Sequence, residues 1–266
     1  MKPNSQQLVQ DINSNMKRVK RKIVVLSGKG GVGKSTVAAN LALAMAEKFP
    51  KGKVGIADLD FSGPNIPKIL GVENKRFESP KDNKFLPITG PMGLKIVSMA
   101  FFLDSPSTPV VWRGPIKIKA LRQFLTDFDW GKLEVLIFDM PPGTGDEAIS
   151  VMQMIPDMDG VVIVTTPQEV SILDTGKSLV MSRKMDRPVI GVIENMSTFI
   201  CPSCETTHTL FGEGGGTKMA QEFGTELLGQ IPLDPKIRAD EDQGISHAFE
   251  YFKPVAEKIL EKVDKV

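Results

Sequence analysis

Cysteine is scarce: the 266-residue chain holds two. That excludes a small secreted scaffold held together by disulfides. Long hydrophobic runs are missing as well. No apolar stretch approaches the roughly 18 residues that a membrane-spanning helix needs, and the richest window, residues 37–46, is far shorter. The N-terminus, MKPNSQQLVQDINSNMKRVKRK, has no apolar segment of the kind that marks a secretory signal. Nor is there a surplus of either charge. Lys and Arg number 33 against 32 Asp and Glu, which argues against a nucleic-acid coat and leaves room only for a local basic patch. Disorder over most of the chain is excluded by 41% hydrophobic residues and a net charge of +1. These absences predict a protein of the reducing cytoplasm, with no nucleic-acid partner and no stable membrane association.

What is present is a regular alternation. Apolar runs at 23–27, 54–57, 94–100, 135–138, 161–166, 189–194 and 229–232 read as strands. Helical spacing of apolar residues marks 36–48, 116–128, 146–155, 170–185 and 255–266, and a further helix ends within 222–228. The strands are continuous apolar runs, as strands covered on both faces require. Strand–helix alternation then predicts an α/β fold: a single domain with a mostly parallel twisted sheet and helices on both faces. We find no internal repeat. The domain is expected over 21–266, behind a flexible or helical leader over 1–20. Residues 17–22 carry five basic residues of six and read as part of a solvated leader, or as a weak partner or phosphate contact. Residues 73–91, polar and rich in proline, read as a surface excursion. Residues 199–216 read as a long loop or hairpin that carries both cysteines and His208.

The strongest motif is Gly28-Lys29-Gly30-Gly31-Val32-Gly33-Lys34-Ser35-Thr36. It fits G-x-x-x-x-G-K-[ST] between a predicted strand and a predicted helix, the context that identifies a phosphate-binding loop. Glycines let the backbone turn its N–H groups onto a phosphate, and the helix N-terminus adds partial positive charge. Lys34 is placed to reach the β and γ oxygens of ATP, and the Ser35 hydroxyl is a natural Mg²⁺ ligand. Lys29 is an addition that a phosphate loop does not need. It sits too near the start of the loop to curl onto its own phosphates, and can instead reach the nucleotide of a second subunit.

Carboxylates follow two of the strands. Asp58-Leu59-Asp60 leaves the second strand at the edge where ligands bind in an open parallel sheet. Asp58 suits a Mg²⁺ contact through water, and Asp60 suits orienting the attacking water. Val135-Leu136-Ile137-Phe138-Asp139 is an apolar strand ending in an acid, the arrangement in which the aspartate holds Mg²⁺. The glycines of Pro141-Pro142-Gly143-Thr144-Gly145-Asp146 leave the next loop free to reorganise when the γ-phosphate is lost.

Cys201-Pro202-Ser203-Cys204 has the spacing of a redox dithiol or of half a metal site. Its place late in the chain, in a Gly-rich loop, does not suit a thioredoxin-like dithiol. Zinc and iron–sulfur clusters both usually need four ligands, and no third cysteine exists. His208 is a candidate third ligand or a solvated loop residue. Symmetry is the economical solution: a two-fold axis brings two such pairs together and supplies four thiolates. Lys29 independently calls for a homodimer.

The loop Gly-Lys-Gly-Gly-Val-Gly-Lys-Ser-Thr resembles the deviant Walker A motif of the MinD/ParA/nitrogenase-iron-protein superfamily. The resemblance implies that Lys29 acts across a nucleotide-sandwich dimer, that Asp60 positions water and that Asn195 reads the adenine edge. With Val111-Trp112-Arg113-Gly114-Pro115, Asn195-Met196-Ser197 and the cysteine pair in the same order, the chain is similar over about residues 20–260 to the Mrp/ApbC/Nbp-type iron–sulfur carrier P-loop ATPases. That similarity implies a homodimer bridging a [4Fe–4S] cluster on Cys201 and Cys204, handed to apo-proteins in an ATP-dependent cycle. Hydrolysis is expected to be slow, since no arginine finger stands beside Lys29. Other readings are a positioning ATPase of the MinD/ParA kind, a zinc-bridged nucleotide switch, and an electron donor like the nitrogenase iron protein, whose well-separated cysteines this pair does not match. The C-terminal helix sets Val255, Ile259, Val263 and Val266 on one face among balanced charges, which predicts core packing rather than a membrane surface.

Overall fold

A computed structural model of the chain describes residues 5–80, 84–103, 114–245 and 248–265. Helix α1 (Ser5–Met16) precedes β1 (Val19–Ser27), α2 (Lys34–Lys48), β2 (Val54–Asp58) and the short α3 (Ile66–Ile69). Then come β3 (Ile88–Thr89), β4 (Lys95–Ser98), α4 (Gly114–Thr126), β5 (Leu133–Asp139) and α5 (Asp146–Met154). Next are β6 (Gly160–Thr165), α6 (Glu169–Lys184), β7 (Val189–Asn195), β8 (Phe199–Ile200) and β9 (Thr207–His208). The chain closes with α7 (Gly215–Glu222), β10 (Leu227–Ile231), α8 (Pro235–Asp242) and α9 (Lys253–Val263).

Eight strands form one sheet in the order β10-β7-β6-β1-β5-β2-β4-β3, parallel except for the β3–β4 pair. Alternation along the strands feeds two cores. Ile23 and Val25 enter the layer beneath α2 and α9, whereas Val24 and Leu26 enter the layer beneath α1, α4, α5, α6 and α7. Both faces of the central strands are therefore dry, which is why they read as unbroken apolar runs. The chain reverses its direction of travel across the sheet around β1, so a crevice opens at that strand's C-terminal end. The ends of β1, β2, β5 and β7 all lie along this edge, and the register sets Asp58 directly beside Asp139.

Several expectations need correction. The basic run is not a solvated leader: β1 begins at Val19, and Arg21 and Lys22 are buried in it. Arg21 is neutralised by Asp264 at 2.6 Å and Glu134 at 3.2 Å, with its guanidinium over the Phe49 ring. Ahead of it, residues 5–16 are helical, and Asn15 fastens this helix by donating to the Leu125 and Phe128 carbonyls at 2.7 and 2.8 Å. The excursion over 73–91 is not wholly at the surface. Phe77 and Phe85 turn inward onto Phe128, with ring centroids 4.8 and 5.5 Å away. The strand expected over 94–100 stops at Ser98, whose hydroxyl accepts the Ala100 amide and starts a helical turn. The helix expected to end within 222–228 does so at Glu222, but the strand after it, expected from 229, already starts at Leu227. In α9, Val255, Ile259 and Val263 are buried as expected. Val266 and residues 111–113 of the Trp-Arg-Gly-Pro motif lie outside the described residues. Among the described residues no helix is long and apolar enough to cross a membrane.

Candidate functional site

The glycine-rich segment connects β1 to α2, and Gly33 in the left-handed region (φ 80°) starts the helix. The sequence folds this way because two of its glycines have no room for a side chain. A Cβ on Gly28 would lie 2.2–2.4 Å from backbone atoms of Asp174 and Thr175 in α6. A Cβ on Gly33 would meet the Asn195 amide nitrogen at 2.2 Å. That same nitrogen donates to the Val32 carbonyl at 2.9 Å, so the end of β7 buttresses the loop.

The loop borders a cavity of about 330 Å³ whose wall includes Lys29, Lys34, Ser35, Thr36, Asp60 and Glu241. At its floor Lys34 Nζ lies 2.6 Å from Asp139 Oδ1 and 3.4 Å from Ser35 Oγ. Asp139 is fully buried, and its other oxygen, Oδ2, has no hydrogen-bond partner. Asp58 is equally buried; it accepts from Ser98 Oγ at 3.0 Å and from the Ile66 and Asp60 amides at 3.3 Å. Burial drives the Asp58 carboxyl well above the usual carboxylate range, the charge of Asp139 pushes the same way, and Lys34 opposes both. Asp60 is raised by burial too, against the pull of Lys34, and accepts from the Gly63 amide at 3.3 Å.

Three carboxylates around one lysine form a site with a deficit of positive charge. Together with the unpartnered Asp139 oxygen and the Ser35 hydroxyl, that fits a hard divalent cation such as Mg²⁺, which takes few protein ligands and completes its shell with water and phosphate oxygens.

The structure therefore brings Gly28 to Thr36, Asp58, Asp60, Asp139 and Asn195 to one edge. The cysteines stand apart from it. β8 and β9 form a two-stranded hairpin whose turn spans 201–206, closed by the Cys201 amide on the Thr206 carbonyl at 3.0 Å. Cys204 is exposed and Cys201 half-buried, and neither is in a disulfide. The Thr206 hydroxyl, 3.3 Å from Cys204 Sγ, and the Thr206 amide hold the Cys204 thiol below its ordinary range, and Cys201 adds to the effect. His208 faces the Phe199 ring, and among the described residues no third metal-ligating side chain joins the two cysteines.

Sequence reading overlooked three neighbours of the site. Glu241 on α8 accepts from Thr36 Oγ1 at 3.0 Å and Asn40 Nδ2 at 3.3 Å, and burial raises its carboxyl. Asp234-Pro235 is a helix-start signal that points to α8 but not to where α8 lies. Lys117 links the segment after β2 to the start of α5, donating to Ser62 Oγ and pairing with Glu147, both at 2.9 Å. Glu194, buried beside Asn195, accepts from the Gly216 amide and from Gln230 Nε2. Their partners lie 30 or more residues away along the chain, or 22 in the case of Gly216, so no local pattern marks them.

With this geometry in view, comparison with known proteins is direct. An iron–sulfur cluster carrier protein of Methanocaldococcus jannaschii is 51% identical over 259 residues, covering 95% of this chain and 88% of the relative. One of Saccharolobus solfataricus is 49% identical over 256 residues, covering 96% and 86%. Among solved structures, a nucleotide-binding protein of Archaeoglobus fulgidus in complex with ADP superposes with a TM-score of 0.78 at 36% identity, covering 91% of this chain and 93% of that one. MinD of Pyrococcus horikoshii with Mg-ADP shares the fold at a TM-score of 0.64 and 24% identity. Residues 18–266, from the start of β1 through the last helix, match the description "ParA: NUBPL iron-transfer P-loop NTPase", and the chain belongs to that family.

Proposed function

We propose that the protein is an iron–sulfur cluster carrier driven by a nucleotide cycle. Two copies face each other, and Cys201 and Cys204 of each supply four thiolates to one bridging [4Fe–4S] cluster. The cluster is cargo, handed on to apo-proteins. The observation that carries this reading is a pair of neighbouring free thiols at a hairpin tip, Cys204 exposed and Cys201 half-buried, too few to hold a cluster alone, in a chain whose curated relatives bear the carrier name.

At the other site, the loop amides and Lys34 bind the phosphates of ATP. Ser35 would hold Mg²⁺ directly, with Asp58 and Asp139 acting through water; the ion supplies charge neutralisation on the phosphate oxygens. Asp60 orients the attacking water. Lys29 reaches across the dimer to the partner copy's nucleotide. Asn195 takes the adenine role that the resemblance implies, with its amide nitrogen engaged on Val32. Turnover is slow, paced by closure of the two copies. A cytoplasmic location suits exposed thiols that must stay reduced.

The test is anaerobic reconstitution with iron and sulfide. A broad absorption near about 400 nm, with about four irons per dimer, is expected. Cys201→Ser or Cys204→Ser abolishes it and leaves nucleotide affinity unchanged. A colourless protein that holds zinc alone, or monomers that retain iron and sulfide, would overturn the reading. A zinc-only result would favour the zinc-bridged switch.

A further inference from the structure

The nucleotide site and the cysteine hairpin share one short piece of backbone. β7 ends with Glu194 and Asn195, both buried. Asn195 is held to the phosphate loop through the Val32 carbonyl at 2.9 Å. The chain then turns at Met196, in the left-handed region with φ 56°, and enters the hairpin over the next few residues. The returning strand leaves the hairpin at His208 and reaches the N-terminus of α7 at Gly215. There the Gly216 amide donates to Glu194 Oε2. Gln230 Nε2 donates to the other oxygen at 2.7 Å, which fixes the carboxyl between two donors.

The two segments that flank the hairpin therefore meet at consecutive residues of β7, the second of them through the start of α7. The leading foot follows Asn195 covalently, and the trailing strand runs through residues 209–214 to the start of α7, which Glu194 ties. The tie is close-packed as well as bonded. A Cβ on Gly216 would lie 2.8 Å from Glu194 Cβ, and one on Gly215 would lie 2.4 Å from the Pro167 carbonyl oxygen. A displacement of the phosphate loop that moves Asn195 acts on the leading foot directly and, through Glu194, on the start of α7 to which the trailing strand connects. Without Glu194 the push on α7 is lost and only the leading foot is driven.

We infer that Glu194 is a positioning residue that transmits the state of the nucleotide site to Cys201 and Cys204. This inference rests on the reading of the phosphate loop as the nucleotide site and of the hairpin as the cargo-holding end. The bond that carries the coupling is the one from the Gly216 amide to Glu194. A demonstrated response at both ends is the physical warrant for such coupling.

The two cysteines are the only ones in the chain, so the reaction rate with a thiol-specific disulfide reagent reports on the hairpin alone. The rate is measured on the metal-free protein with and without a non-hydrolysable ATP analogue and Mg²⁺. In the wild type the analogue is expected to change the rate about fivefold or more, the lower end of ordinary coupling. Glu194→Ala is expected to bind the analogue with unchanged affinity and to lose the rate response. Glu194→Gln restores it, because Gln230 can turn its amide over and accept from the new nitrogen while Gly216 keeps its acceptor. Gly216→Ala, which leaves Glu194 in the chain but presses a new Cβ on its Cβ at 2.8 Å and on Oε2 at 3.1 Å and so wedges the helix off it, is expected to behave like Glu194→Ala and serves if that variant fails to fold. A full response in Glu194→Ala, or none in the wild type, overturns the inference. Because no metal is present, failure here leaves cluster binding untouched, and failure of cluster binding leaves this readout intact.

Discussion

The phosphate loop offers a sharp test, because the structure separates glycines that the motif treats alike. Gly28→Ala and Gly30→Ala add the same methyl group two residues apart. At Gly28 the new carbon would sit 2.2–2.4 Å from the carbonyl carbon and oxygen of Asp174 and the amide nitrogen of Thr175. These are backbone atoms of α6, so no side chain can swing away, and either the loop or the helix must shift by about an ångström. Overpacking of this kind costs about 1–3 kcal/mol, and the rigidity of the neighbour places Gly28→Ala at the upper end. At Gly30 nothing lies within 4 Å. No left-handed backbone angle is required there either. Gly30→Ala should therefore be neutral, or more stable by about 0.4–1 kcal/mol through the restricted unfolded chain. For a chain of this size the difference of about 3 kcal/mol corresponds to roughly 6–12 °C in Tm. Urea denaturation without nucleotide measures it, and nucleotide titration then shows whether Gly28→Ala also loses affinity as the loop is displaced. Equal destabilisation by the two substitutions would refute the claim that contact with α6 is what holds the loop.

Three further outcomes are expected. Lys34→Ala should reduce nucleotide affinity by two orders of magnitude or more, on the scale of a lost buried charge contact of about 3 kcal/mol, whereas Lys29→Ala should keep affinity and lose turnover; equilibrium titration beside a phosphate-release assay distinguishes them, and normal turnover by Lys29→Ala would remove the argument for action across a dimer. Burial raises the Glu241 carboxyl, so the native state binds its proton more tightly than the unfolded chain, and stability from this site is lost as pH rises from the unfolded value through the folded one. Glu241→Gln, which can keep both bonds to Thr36 and Asn40, should therefore be more stable than the wild type at pH 7.5 by a margin that vanishes near about pH 4; a margin independent of pH in urea titrations would contradict this. Arg21→Met should cost only about 1–2 kcal/mol, because Glu134 and Asp264 stay in contact with water and are not stranded as the partners of a fully buried pair would be; a loss well above 3 kcal/mol in urea would show that the guanidinium holds more than these two acids.

The parallel α/β sheet, the phosphate loop and the acids that end β2 and β5 are legible in the amino-acid order alone. Each of these is written in adjacent residues: apolar runs dry on both faces, glycines before a helix, an acid after a strand. The same locality explains its errors. Arg21 and Lys22 look like a solvated run until Glu134 and Asp264, distant along the chain, arrive to neutralise Arg21 and let the strand bury it. Phe77 and Phe85 look like part of a polar loop until Phe128 supplies a cluster for them to join. Only the tertiary structure set Asp58 beside Asp139 around Lys34, laid Glu241 on the phosphate-loop helix, and tied the start of α7, beyond the cysteine hairpin, to Glu194. The reason is physical: local patterns encode backbone conformation and the side that faces water, whereas a buried carboxyl's partner is chosen by the packing of segments that meet only when the sheet closes over its helices.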